Sequence, residues 1–128
     1  MESFFISVSY LILDSIWIYL MTPLLYSKVF SKIQKYPMKA NIRYAIFAYI
    51  VLLIVIFKIC VPLSETYKER PWLAFALVGF CIYSIFNLTN GTIFKDYSLQ
   101  MTIVDSIWGC FVFGIIGILY TKHIFLLK

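Results

Sequence analysis

Residues 42–62 read IRYAIFAYIVLLIVIFKICVP. Only Arg43, near the start, and Lys58, one turn before Pro62, carry charge. Crossing about 30 Å of hydrocarbon takes roughly 20 apolar residues in a helix. The stretch has that length, and its apolar residues run on without the alternation of a membrane β-strand. In lipid every backbone N–H and C=O needs a partner within its own segment, which forces a helix. Lys58 sits where a long basic side chain can snorkel to the head groups.

Three more stretches share this character, at about residues 3–26, 71–91 and 98–121. Hydrophobic residues make up 62% of the 128 and charged ones 13%. A soluble domain has about 45–50% and about 25%. A soluble fold this short leaves too much surface in water to hide so much apolar area. The expectation is an all-α membrane protein: a four transmembrane helix bundle with short loops, forming a single membrane domain over residues 1–128. The first stretch reads as a permanent helix rather than a signal peptide, because it opens on Glu2, is long, and is interrupted by Asp14. Pro23 is expected to bend or end it.

The net charge is +5, and much of it lies between the first two spans. Lys28, Lys32, Lys35, Lys39 and Arg43 occur there with no acidic residue among them. By the positive-inside rule this loop faces the cytoplasm, with both termini on the opposite side. The same cations suit acidic head groups, so membrane lipids are the expected partners and nucleic acid is not. Cys60, Cys81 and Cys110 show no Cys-x-x-Cys or Cys/His spacing and read as free thiols. No metal site and no cofactor is implied.

Ionisable residues inside a membrane are costly and normally face the bundle interior. Here they are Asp14 and Asp105, in matching surroundings: Leu13-Asp14-Ser15-Ile16-Trp17 and Val104-Asp105-Ser106-Ile107-Trp108. The i, i+3 spacing puts each Asp and its Trp on one helix face. Helices one and four run in opposite directions, so the two copies would be related by an axis in the membrane plane. Helix three adds Tyr83, Ser84, Asn87 and Asn90 on one face, with Thr89 beside it. The candidate polar cluster is therefore Asp14, Trp17, Asn87, Thr89, Asn90, Asp105 and Trp108, with Tyr10 and Tyr83 as further donors. Gly109, Gly114 and Gly117 are small enough for close helix packing.

The order Leu13-Asp14-x-x-Trp17, Val61-Pro62, Asn87-Leu88-Thr89-Asn90 and Val104-Asp105-x-x-Trp108-Gly109 resembles a family of small predicted membrane proteins. It is catalogued as domain of unknown function twenty-one seventy-seven. The resemblance covers nearly the whole chain, implies four helices and singles out Asp14, Trp17, Thr89, Asn90, Asp105, Trp108 and Gly109. The family's pattern has Asp where Asn87 stands here, which removes a third buried carboxylate. The resemblance implies no activity.

Three function classes follow from these residues. A small transporter or channel-like subunit for protons or small solutes would use Asp14 and Asp105 as its sites. With only four helices it would work as a homo-oligomer or within a larger membrane assembly. A structural membrane protein or assembly anchor, such as one in a viral internal membrane, would use the cluster as hydrogen-bonded glue between helices. A lipid-binding or lipid-modifying protein would use the Asp pair on a lipid. The residues lean away from an enzyme: there is no nucleophile beside a base and no phosphate loop, and the single histidine, His123, lies at a helix end.

Overall fold

The computed structural model describes the backbone of residues 1–126 and side chains as far as His123. Four helices are long and apolar enough to cross a membrane. They are α1 (Glu2–Gln34), α2 (Ile42–Ser64), α3 (Trp72–Ile93) and α4 (Leu99–Leu126). Strands are absent among the described residues.

The first helix differs from expectation. An end near Tyr26 was expected, and α1 continues to Gln34. Pro23 has no N–H to give, yet it does not stop the helix. A π-helical turn, Thr22–Tyr26, surrounds it, and the Ser27 N–H reaches back five residues to the Thr22 carbonyl. The wider turn accommodates the proline, and the α-helix resumes. At 33 residues α1 is roughly 50 Å long, well beyond the hydrocarbon thickness. Its last two turns therefore lie at the membrane boundary, with Val29 buried and Lys28, Lys32 and Gln34 exposed. Lys28 and Lys32 thus stand on the helix rather than in a loop. Lys35 closes α1 in the left-handed conformation, at φ 62°.

Helix α2 repeats the device. A π-helical turn, Ile56–Cys60, precedes Pro62. Asn41 caps its start, its side-chain oxygen accepting the Arg43 N–H at 3.1 Å. Ser98 caps α4 in the same way, accepting the Met101 N–H at 3.2 Å.

The tightest pair is α3 with α4. Gly79 and Gly109 lie where the two backbones approach: a Cβ on Gly109 would stand 2.7 Å from the Gly79 oxygen, and one on Gly79 would overlap the Gly109 oxygen. A Cβ on Gly117 would come 2.8 Å from Trp72 Cα. These glycines are present because any side chain would push the helices apart. Gly114 is different. It is buried, but a Cβ there would meet Ala76 Cβ at an ordinary 3.5 Å, so tight packing does not require it. Gly79 carries the role that residue type alone suggested for Gly114.

Two apolar clusters hold the bundle. Near the chain ends, Ile6, Tyr10, Ile56, Cys60, Phe75 and Phe113 join all four helices. There Glu2 and His123 pair at 3.5 Å, which sets both ends of the described chain on one face of the bundle. Near the basic segment a smaller cluster, Leu25, Val29 and Met101, joins only α1 and α4. Helix α2 takes no part in it. From Ile42 to Val55 it buries no residue at all.

Candidate functional site

Asp14 is held by all four helices. It lies on α1 and is 5% exposed. Its Oδ1 accepts the Tyr83 hydroxyl of α3 at 3.1 Å and the Trp108 indole N–H of α4 at 3.0 Å. Its Oδ2 accepts the Tyr49 hydroxyl of α2 at 3.0 Å. Tyr10 bonds to the Tyr83 hydroxyl at 3.1 Å instead of to the carboxylate, so it acts one step removed.

Asp105, on α4, is buried to the same degree. One oxygen accepts the Tyr26 hydroxyl, and the other accepts the Asn87 amide at 2.6 Å. That amide also donates to the Tyr83 carbonyl at 2.8 Å, and its oxygen accepts the Tyr97 hydroxyl at 2.7 Å. Tyr97 lies in the loop between α3 and α4, where burial pushes its phenol above the usual range and keeps the proton that it donates.

The repeated motif has a geometric meaning. The Trp17 and Trp108 rings stack with centroids 4.3 Å apart and planes within 1°. Trp108 gives its N–H to Asp14. Trp17 gives its own to the Tyr26 hydroxyl at 2.6 Å, and Tyr26 passes a hydrogen bond to Asp105. Each indole therefore serves the carboxylate of the opposite motif, directly in one direction and through a tyrosine in the other. Two antiparallel helices with like-oriented motifs make this crossing possible.

Tyr26 reaches the site because of the π-turn. At about 100° per residue, nine regular α-helical steps from Trp17 would point Tyr26 to the far side of α1. The extra residue of the π-turn subtracts about 100°, which brings it to the near side.

Both carboxylates line one cavity of about 700 Å³ between α2 and the other helices. Its remaining walls are mainly apolar and aromatic, among them Trp17, Phe47, Val51, Ile82 and Phe86. The cavity exists because the first half of α2 buries no residue fully and meets the bundle only through half-buried side chains such as Tyr49 and Leu52. Among the described residues no Lys, Arg or His stands within ion-pair distance of either Asp; Lys32 pairs with Asp96 at 3.3 Å, and His123 lies beside Glu2. A carboxylate has about four acceptor sites. Asp14 uses three and Asp105 two, so unused capacity remains beside the cavity.

The structure brings together Asp14, Trp17, Asn87, Asp105 and Trp108. It places Thr89 apart from them. Thr89 is exposed on the outer side of α3, whereas Asn90 is half-buried one turn on from Asn87, and its backbone carbonyl accepts the Phe94 N–H at 2.8 Å where α3 ends. Residue 89 lies about 200° around the helix from 87 and cannot share its face, while residue 90 lies about 60° from 87 and does. Ser84 is buried with no hydrogen-bond partner. The residues that sequence reasoning missed are Tyr26, Tyr49 and Tyr97. Tyr49 stands in an apolar run with no polar neighbour to mark it, and Tyr97 lies in a loop. The available clue to Tyr26 was Pro23, three residues before it.

These features define a four-helix membrane protein with a hydrogen-bonded carboxylate pair inside. The chain belongs to the family described as "Predicted membrane protein (DUF2177)", whose model matches residues 2–121. Comparisons with curated proteins and with solved structures give no match.

Proposed function

We propose that this chain is a small membrane transport subunit in which Asp14 and Asp105 bind a proton or a cation in exchange. One observation carries the reading: both carboxylates open onto a single cavity with no basic residue beside them. Buried charge without a partner is expensive, and a site of helix–helix glue would be expected to close over it. Here five donors leave part of the carboxylates' acceptor capacity unused, and both residues line the cavity. A proton or a cation can occupy that capacity, and the two compete for the same oxygens.

The face that carries Lys28, Lys32, Lys35, Lys39 and Arg43 is the cytoplasmic one in this reading, with the termini outside. Four helices enclose little pathway by themselves, so this reading implies assembly with further copies.

The test is ion flux in proteoliposomes. Native protein is compared with Asp14→Asn and Asp105→Asn, each checked for folding by its melting curve in detergent. Flux that disappears in folded variants is the expected result. A native protein without flux, whose variants only melt earlier, would return the cluster to a structural role. The five donors that hold the two carboxylates are the observation that favours that second reading.

A further inference from the structure

The cavity is selective in its chemistry. Its polar part is the two carboxylates, the Tyr26 and Tyr83 hydroxyls that serve them, and the hydroxyls of Thr22 and Tyr44. Its aromatic part includes Trp17, Tyr26, Tyr44, Phe47, Tyr83 and Phe86. Aromatic ring faces attract cations, most strongly when water is excluded. An anion would meet two carboxylates. A small inorganic cation would have to lose its water against walls that offer little to replace it.

The route of entry is equally specific. Tyr44, Phe47 and Val51 share one face of α2, line the cavity and are at the same time exposed. The opening is therefore lateral, toward lipid, through the half of α2 that buries nothing. A ligand arriving that way must itself dissolve in the bilayer. A volume of about 700 Å³ falls within the range of small-molecule pockets.

We propose that the ligand is an amphipathic organic cation, an ammonium or phosphonium group carried on an apolar body, which enters from the bilayer beside α2. The cationic centre rests against Asp14 and Asp105, and the body fills the space between α2 and α3. This inference deepens the transport reading and rests on its assignment of the carboxylate pair.

Two ions of the same shape and opposite charge test it: tetraphenylphosphonium and tetraphenylborate. Equilibrium dialysis of the purified full chain in uncharged detergent gives the affinity for each. Saturable phosphonium binding is expected, with the borate at least about tenfold weaker. Asp105→Asn should weaken phosphonium binding by about tenfold or more. Ala48→Trp fills the cavity from an exposed α2 position, so it should abolish binding without lowering the melting temperature. Equal affinity for the two ions overturns the proposal. So does phosphonium binding that survives Ala48→Trp unchanged. Flux measurements keep the two readings apart. Asp-dependent proton flux without phosphonium binding leaves transport standing and removes this ligand class. Phosphonium binding without flux keeps the ligand class and removes transport.

Discussion

The two ends of this bundle are built differently. At the terminal end all four helices meet around Tyr10, Phe75 and Phe113, and α3 and α4 touch backbone to backbone at Gly79 and Gly109. At the basic end only α1 and α4 pack, and α2 stands free of them. The carboxylate pair lies between. Asp14 draws donors from the packed helices, while the cavity beside it belongs to the open end. The contrast teaches how a small protein can hold buried charge and still leave it reachable: one end supplies the rigidity and the other supplies the access.

If that division is right, damage should be greatest where the backbones touch. Gly79→Val should destabilise the bundle by about 3 kcal/mol or more, because its side chain would overlap the Gly109 oxygen and the Phe113 ring. Gly114→Ala is the control and should change little, since its Cβ meets only Ala76 at 3.5 Å. Denaturant titration in mixed micelles measures both. Equal effects would mean that the α3–α4 contact is not the rigid element.

A middle-sized effect separates the two carboxylates. Asn87→Leu removes a buried donor from Asp105, and Asn87 also bridges to Tyr83. It should cost about 1–3 kcal/mol, because it leaves a buried carboxylate under-satisfied. Tyr49→Phe removes one of three donors to Asp14, and the one on the loosely packed helix. Its cost should be about 0.6 kcal/mol. The reverse order would break the comparison, because it would make α2 a structural member of the site.

A small change of opposite sign is expected at the end of α1. Lys35 sits at φ 62°, where an L side chain is strained and glycine is not. Lys35→Gly should raise stability by about 0.5–1 kcal/mol, with the cavity unaffected. A loss of stability would show that the Lys35 side chain contributes more than its backbone strain costs.

Much of this was legible from residues alone. The apolar runs marked the four helices, since length and composition suffice for a segment that has only lipid around it. Asp14 and Asp105 marked the site, because charge is rare in such runs. The repeated Asp-Ser-Ile-Trp pointed to an antiparallel pair, and the indoles do cross between the two motifs. The tyrosines were not legible in the same way. Tyr49 looks like any interfacial aromatic until a carboxylate from another helix is beside it. Thr89 lies near Asn87 in sequence but not in direction. Gly114 and Gly79 are the same residue type, and only the neighbouring helix distinguishes them.

Composition and patterning by themselves determined that this chain lies in a membrane, that it crosses four times, and that two carboxylates are hidden within it. Those properties depend on how a segment meets its solvent, which each segment expresses alone. Which donors reach each carboxylate, where α1 ends, and whether a cavity opens beside the pair were decided only in the tertiary structure. Those properties depend on the relative rotation and separation of helices. A single π-turn shifts the first by about 100°, and one glycine contact sets the second.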